Sequence, residues 1–385
     1  MRGGQELGYQ IKDPNGPQQV SFGPIEFSRR FGRRATSFTE YIRPILNSRR
    51  NLRIVTNARV SKVIFEGNRA VGVQYTISGR RSPSRVRARK EVILSAGTYG
   101  SSTLLMRSGI GPRGLLRKAG IPLLKELPVG ENFQEHPVVP LQFIINNKSL
   151  ALDRQRDLTP ENYQLYLRRG IGPFSSVAGY SGQAFLASSV ATNEGYPGWP
   201  DIQLALSAVN APMEPFKNVR LGPTETPILV FLYLAREKSR GTVKLDTSNV
   251  NGMPLIDFNY LEDPRDEQVL LEAIRFTMNF LENTTAFKSV GARYLRNPLP
   301  ACSKFRFRSE EYWSCYMRQT IIQGNHPSST CSMNTVVDSS LRVIGMKGLR
   351  VVDGSVMPVI TNTNLQAAIY GIAEKISEDI LRVWR

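Results

Sequence analysis

The chain has very few of the residues that build metal sites. It contains only two histidines, His136 and His326, and three cysteines at positions 302, 315 and 331, with no C-x-x-C pair. Structural zinc needs four such ligands at characteristic spacings, so a zinc site is not expected. The sequence therefore favours chemistry that needs no bound metal ion.

Long apolar runs are also missing. The longest candidates, VILSAG and PILVFLYLA, fall well short of the roughly eighteen residues that cross a bilayer, so no transmembrane segment is expected. The start, MRGGQELGYQIKDPNG, is polar and glycine-rich and has no apolar core of a signal peptide. This chain itself therefore carries no recognisable secretory signal.

Acidic residues are outnumbered, with 32 Asp and Glu against 50 Lys and Arg and a net charge of +18. A nucleic-acid surface would set such charge among exposed aromatics or on a reading helix. The densest run, RRSPSRVRARK at 80–90, instead leads into the apolar strand EVILSAG, which makes its charges the solvated face of a hairpin. A basic binding module and a nucleic-acid partner are the least favoured readings.

Gly109, Gly111 and Gly114 have the G-x-G-x-x-G spacing of a dinucleotide-binding turn. That turn needs a strand before the glycines, whereas SSTLLMRS has helical spacing, and Pro112 removes an amide donor. We predict that Gly109 and Gly111 end one helix and that Pro112 begins the next. The triplet is not expected to bind a nucleotide.

The 385 residues, of which 41% are hydrophobic, suffice for two or three domains. Strand-like runs at 51–97 lead into a helix, strands separated by polar loops occupy 138–260, a helix begins near Asp263, and a buried strand and long helix close the chain. We predict an α/β part joined to an α+β part. An antiparallel β module is inserted between α/β pieces at the two ends of the chain, which is the shape of a two-domain enzyme.

Two segments offer catalytic chemistry. His326 lies in the polar, turn-forming stretch GNHPSSTCSM, where a neutral imidazole could take a proton from an alcohol. His136, in GENFQEHP, is interpreted as a structural residue. In the closing unit, Thr363 or Asn364 precedes the last helix, where capping alone explains them about as well as binding a reduced flavin at the helix N-terminus.

These segments resemble one known family. GTYGSSTLLMRSGIGP is similar to the second signature of the glucose–methanol–choline (GMC) oxidoreductases, and VGENFQEHP, HPSSTCSM, GLRVVDGSVMP and NTNLQAAIYGIAEKI are similar to further family blocks in the family's order. The loop CSKFRFRSEEYWSCYMRQ looks most like the insect, glucose dehydrogenase-like branch. The resemblance covers nearly the whole chain.

The resemblance implies roles for individual residues. His326 would be the catalytic base, and Asn364 would contact the substrate hydroxyl. Val60 would meet the adenine end of FAD through its backbone, and Asp353 with Gly354 would lie near the phosphates and ribityl chain. No metal ligand is implied.

The sequence departs from the family pattern in two respects. Ser329 and Asn334 stand where the family usually has glycine, and a side chain could crowd a turn that requires a positive φ. The N-terminal G-x-G-x-x-G unit of the family is also missing, so the resemblance implies an incomplete FAD/NAD(P)-binding, Rossmann-like domain with an inserted antiparallel-sheet substrate domain. We therefore expect the C-terminal part of a GMC enzyme, poorly soluble and colourless when expressed alone.

The predicted domains are a remnant at 1–50, FAD-binding parts at 51–137 and 324–385, and the substrate domain at 138–323. The resemblance implies an FAD-dependent oxidoreductase that acts on the CH–OH group of an alcohol, sugar or steroid, with oxygen or a quinone as electron acceptor. The alternative is a non-catalytic remnant that cannot retain FAD. Cys302 and Cys315 flank one polar loop and could form a disulfide, which would place the parent protein outside the cell.

Overall fold

The computed structural model describes residues 1–80, 82–211, 213 and 219–385. Arg81 of the basic run, and residues 212 and 214–218 of the predicted substrate domain, lie outside the described residues. The described residues form two compact units. The first comprises residues 1–53, 137–236 and 264–322, and the second comprises residues 54–136, 237–263 and 323–385. The domain boundaries themselves stay a prediction, because compactness does not show which segments fold alone.

An antiparallel sheet forms the centre of the first unit, as predicted. Its strands follow the order Ser21–Pro24, Tyr180–Leu186, Ile202–Ser207, Thr226–Leu234, Pro137–Ile145 and Arg293–Tyr294. Every residue of Pro137–Ile145 is buried, and Leu141 stands opposite Val230. A strand buried on both faces reads as a continuous apolar run, which explains the pattern PVVPLQFII.

Two helices and a disulfide complete the first unit. Helix Pro264–Asn283 buries an apolar stripe that includes Leu270, Ile274 and Leu281, at the spacing of one helix face. Helix Glu310–Thr320 is tied to the sheet by the Tyr316 hydroxyl, which donates to the Pro140 carbonyl at 2.8 Å. The predicted bridge between Cys302 and Cys315 is present, with Cα atoms 5.8 Å apart, and Cys331 is a buried free thiol.

The shorter elements are mostly surface segments. They are the helices Arg2–Glu6, Phe38–Ile42, Arg43–Ile45, Lys148–Leu150, Arg154–Asp157, Pro160–Arg169, Pro173–Ser175, Ser189–Asn193, Thr285–Lys288 and Pro300–Cys302, and the strands Arg29–Arg30, Arg33–Arg34 and Ile322–Gln323.

The second unit contains several small sheets. Strands Ala58–Glu66, Arg69–Ile77 and Ser84–Arg87 form an antiparallel sheet, and Thr242–Lys244 pairs with Leu255–Asp257. Strand Val92–Leu94 pairs in parallel with Leu349–Val351. Its helices are Gly97–Arg107, Arg113–Lys118, Gln366–Trp384 and the short turn Gly354–Val356.

The strand predicted at 51–56 is wrong. Residues 52–56 have no regular structure, and Ile54 and Val55 are about half exposed, at 45% and 46%. Asn57 has a φ of +54°, which interrupts an extended chain immediately before the strand that begins at Ala58. The apolar run therefore has no partner strand among the described residues.

The glycine triplet has the predicted context. Helix Gly97–Arg107 runs into it, Gly109 has a φ of +87°, and Pro112 is the N-cap of helix Arg113–Lys118. Gly111, predicted to help end the first helix, instead lies in strand Ile110–Gly111, paired with Lys125–Glu126. Among the described residues no helix is long and apolar enough to span a bilayer.

Candidate active site

His326 lies in the second unit, in an irregular segment whose backbone is unusual. Asn325, Ser329 and Asn334 all have a positive φ, at +61°, +75° and +70°. His326 itself is buried, and its backbone N–H donates to Glu135 Oε1 at 2.7 Å. Non-glycine residues rarely adopt this backbone region, and such residues cluster at functional sites.

The two departures from the family pattern fall on these strained positions. The sequence expectation that Ser329 and Asn334 occupy turns requiring a positive φ is confirmed. The Ser329 side chain is fully buried, with its hydroxyl 3.0 Å from that of Ser328. A left-handed conformation costs a residue with a Cβ about 1–2 kcal/mol, so the segment carries a local strain that glycine would relieve.

Asn364 contacts His326 directly. Its amide nitrogen Nδ2 lies 2.7 Å from His326 Nε2. The N-cap of helix Gln366–Trp384 is Leu365, which makes no side-chain capping hydrogen bond. The interpretation of Asn364 as a capping residue is therefore wrong, because its amide is used on the histidine.

The second histidine belongs to the same cluster, and its interpretation as a structural residue stays a prediction. His136 Nδ1 lies 2.9 Å from His326 Nδ1, and His136 Nε2 lies 2.9 Å from the carbonyl oxygen of Thr361. The two imidazole planes are nearly perpendicular, at 83°. The chain's only two histidines thus form one buried pair.

Burial controls the electrostatics of this cluster. It lowers the pKa of His326 to about 4, so this imidazole is neutral near pH 7 and able to accept a proton. Burial also raises the pKa of Glu135 to about 7, against the opposing effect of backbone N–H groups including that of His326. Glu135 Oε2 is buried and has no hydrogen-bond partner among the described residues.

Asp353 links the closing strand to a helix. Its Oδ2 accepts hydrogen bonds from the Gly97 N–H at 2.9 Å and the Ser101 hydroxyl at 2.6 Å, and its Oδ1 accepts from the Ser355 N–H at 2.9 Å. The same helix reaches the His326 segment, since the Thr98 hydroxyl donates to the Pro327 carbonyl at 2.7 Å. Asp353 therefore anchors the start of helix Gly97–Arg107 beside the histidine segment.

Gly354 and Val60 have different positions. The Gly354 carbonyl accepts from the Ser329 N–H at 3.2 Å, and a Cβ on Gly354 would lie 3.2 Å from Ile369 Cδ1. Val60 lies in strand Ala58–Glu66 next to a register shift, and no hydrogen bond of the described residues joins it to His326 or Asn364. The cofactor roles of these residues and of Asp353 stay predictions.

Three residues of the cluster were missed from the sequence: Glu135, His136 and Thr361. The motif ENFQEHP was noticed, but its contacts lie about 190 residues further along the chain, and no local pattern reports such a pairing. No group of three or more His, Cys, Asp or Glu suited to a metal ion occurs in the described ranges.

A separate basic groove lies in the first unit. It has a volume of about 720 Å³ and is lined mainly by arginines, including Arg30, Arg34 and Arg168, with the neighbouring Phe31 78% exposed. Phe31 is thus an exposed aromatic ring among basic residues, a combination that was not predicted from the sequence. None of the histidine-site residues lines this groove.

The chain matches known proteins along most of its length. Two models described as GMC oxidoreductase match residues 1–138 and 237–373. An oxygen-dependent choline dehydrogenase from Pseudomonas fluorescens strain Pf-5 is 35% identical over 99% of this chain and 65% of the relative, and one from Pseudomonas putida strain F1 is 34% identical over 99% of this chain and 66% of the relative. The chain thus spans about two thirds of the length of the curated relatives it matches.

Solved structures share the fold. An FAD-dependent oxidoreductase from Chaetomium thermophilum has a TM-score of 0.84 and 24% identity, and covers 100% of this chain and 71% of its own. Formate oxidase from Aspergillus oryzae has a TM-score of 0.84 and 22% identity, covering 98% of this chain and 68% of its own. A fungal aryl-alcohol oxidase has a TM-score of 0.81 and 23% identity, and the match covers 99% of this chain and 70% of the oxidase. At these identities the likeness shows the fold alone.

Proposed function

Because the chain belongs to the GMC oxidoreductase family, we propose that it carries the reaction centre of an FAD-dependent oxidoreductase that acts on the CH–OH group of a small alcohol. The observation that carries the proposal is the neutral, buried imidazole of His326 with the Asn364 amide at its Nε2, 2.7 Å away. A general base must be unprotonated at the working pH and able to contact the hydroxyl proton it removes.

The residues present suit a flavin. The N-cap of helix Gln366–Trp384, Leu365, makes no side-chain capping hydrogen bond, and the N-terminus of this helix would present a partial positive charge to a ligand. The Asn364 amide adds a second donor beside it. Gly354 and the backbone of Val60 would hold the remainder of FAD, and Asp353 would fix Gly354 in place. When bound, the flavin would supply a hydride acceptor at N5.

His326 and Asn364 would divide the work on the substrate oxygen. In this structure the Asn364 amide nitrogen lies at hydrogen-bond distance from His326 Nε2. An alcohol hydroxyl would replace that amide as the donor to Nε2, and His326 would take the proton as the carbon–hydrogen bond breaks. The displaced amide of Asn364 would then donate to the oxygen and stabilise its developing negative charge.

Substrate and electron acceptor remain open within this class. Alcohols, sugars and steroids are candidate substrates, and oxygen or a quinone would reoxidise the flavin. The disulfide loop between Cys302 and Cys315 supports the insect glucose dehydrogenase-like branch. A disulfide also favours an oxidising compartment, so we propose that the parent protein is secreted.

A specific observation favours a second candidate, a remnant that cannot retain FAD. Strand Val92–Leu94 pairs only with Leu349–Val351 among the described strands, and Ile93 is 44% exposed. Parallel sheets are normally larger and covered on both faces. A parallel sheet of only two strands among the described residues would hold the cofactor weakly, and the chain would then lose FAD.

Both candidates are tested by loading purified protein with FAD, removing free flavin by gel filtration, and adding a primary alcohol, a sugar and a steroid alcohol without oxygen. Retained flavin that one of these alcohols bleaches supports the oxidoreductase. Retained flavin that none of them bleaches contradicts it. Loss of flavin during filtration favours the remnant.

A further inference from the structure

We propose that His136 and His326 act as a single base that accepts one proton, with His136 as a positioning residue that keeps Nε2 of His326 unprotonated. The inference rests on the proposed function for its catalytic meaning. The positions of the two ring protons are a property of the protein alone and can be measured without substrate or cofactor.

The Thr361 carbonyl fixes the first proton. A carbonyl oxygen can only accept, so His136 Nε2, 2.9 Å away, must carry a hydrogen and donate it. In a neutral imidazole only one ring nitrogen carries hydrogen, so Nδ1 of His136 is then an acceptor. The backbone thus determines the tautomer of the first histidine.

The second proton follows from the first. His326 Nδ1 lies 2.9 Å from the acceptor Nδ1 of His136, so it must carry hydrogen and donate. Nε2 of a neutral His326 is then an acceptor, which agrees with the Asn364 amide nitrogen placed 2.7 Å from it. The hydrogen bonds run in one direction, from Asn364 through His326 and His136 to Thr361, and every group is neutral.

The reverse direction is disfavoured. It would require His136 to donate from both nitrogens, which makes it a cation, and the Asn364 side-chain amide to be rotated so that its oxygen faces His326. His136 is fully buried, and burial disfavours the charged form of an imidazole. The neutral, one-directional arrangement is therefore the stable one.

This arrangement prepares His326 for its reaction. When Nε2 gains the hydroxyl proton, Nδ1–H already points at His136, whose Nδ1 can share the new positive charge. No hydrogen bond of the histidine pair has to reverse its direction, so the reorganisation that accompanies proton transfer is small. Without His136, His326 would be free to protonate at Nε2 instead, and that tautomer cannot accept the substrate proton.

The test is a long-range ¹H–¹⁵N spectrum of protein labelled at the histidine rings, recorded at pH 7. Because the chain has only two histidines, four ring nitrogens are observed, and His136→Asn assigns them by removing one pair. We expect Nδ1 of His326 and Nε2 of His136 to be protonated and the other two nitrogens to be bare. A His326 protonated at Nε2, or either ring fully protonated, would overturn the proposal.

Two substitutions at position 136 sharpen the test. Asn offers an oxygen that can accept from His326 Nδ1–H, so His136→Asn should keep the single tautomer, whereas His136→Leu should give a mixture. An unchanged single tautomer in His136→Leu would show that His136 does not set it. If a variant fails to fold, the wild-type spectrum still decides. Correct tautomers without alcohol oxidation would contradict the proposed function and leave this inference standing.

Discussion

Two segments of the second unit each contribute one histidine to the site, and their backbones differ. The segment around His136, residues 130–136, precedes strand Pro137–Ile145 and has one non-glycine residue with a positive φ, Asn132 at +58°. The segment around His326 has three such residues, Asn325, Ser329 and Asn334. The candidate base thus lies in the more strained of the two segments. Strain is tolerated where the surroundings hold it, and the His136 segment supplies two of those contacts, through Glu135 and His136.

The largest expected effect comes from substituting His326. In FAD-loaded protein, His326→Ala should slow flavin reduction by an alcohol about 10²-fold or more while the flavin stays bound, because it removes the general base. Anaerobic stopped-flow absorbance measures the rate, and the visible spectrum checks flavin retention. An unchanged rate would remove His326 from the mechanism.

Glu135 connects the His136 segment to the His326 segment. Its effect on the pH dependence of stability is opposite to that of His326, so substituting it should reveal the effect of His326 alone. The folded-state pKa of Glu135 is raised to about 7, so stability falls as the pH rises from 4.5 to 7. The folded-state pKa of His326 is lowered to about 4, so stability falls as the pH drops from 6.5 to 4. In the wild type the two effects largely cancel between these limits.

Glu135→Gln should remove one of these effects, while its amide oxygen can still accept the His326 N–H. Stability should then fall by up to about 3 kcal/mol between pH 6.5 and pH 4, at 1.36 kcal/mol for each pKa unit. Urea unfolding at a series of pH values measures this. Glu131→Gln is the charge-matched control, because it removes a nearby carboxylate without contacting His326. An equally flat curve for Glu135→Gln and wild type would contradict the prediction.

Asn364 tests how the reacting side of the pair is held. Asn364→Ala should lower the rate of flavin reduction by about 10-fold, since one hydrogen bond contributes up to ~1.5 kcal/mol. Asn364→His keeps a donor and should restore much of the rate. Asn364→Ser introduces a good capping residue whose side chain is too short to reach His326. A wild-type rate in this variant would therefore support a capping role for Asn364.

The smallest effect concerns the strain itself. Ser329→Gly should raise the free energy of unfolding by up to about 1 kcal/mol, because glycine adopts a φ of +75° without the Cβ penalty. Ser328→Gly, at a neighbouring position without a positive φ, is the control and should destabilise. Chemical denaturation of the two variants measures the difference. Equal effects would mean that the segment stores no strain at Ser329.

Local patterns predicted much of this molecule. Alternation and apolar runs located the antiparallel sheet, and helical spacing located Pro264–Asn283 and Gln366–Trp384. The motif around His326, and the glycine positions now occupied by Ser329 and Asn334, marked the strained segment. Each of these signals lies within a few neighbouring residues, where propensity and backbone geometry act.

The remaining features depend on contacts that are distant in sequence. His136 was interpreted as structural because nothing near it indicates a ring 190 positions away. The run at 51–56 has strand composition but no partner strand among the described residues, and composition cannot report a missing partner. Asn364 has the side chain of a good helix cap, and only the position of His326 decides that its amide is used elsewhere.

The claim that the two histidines act as one base is tested most directly by a double-mutant cycle on the rate of flavin reduction. We expect about a 10-fold loss for His136→Leu, at least 10²-fold for His326→Ala, and a double variant no slower than His326→Ala alone, because residues that act as a unit are not additive. A double variant slower by a further factor of about 10 would show that His136 acts independently of His326, and would contradict the account.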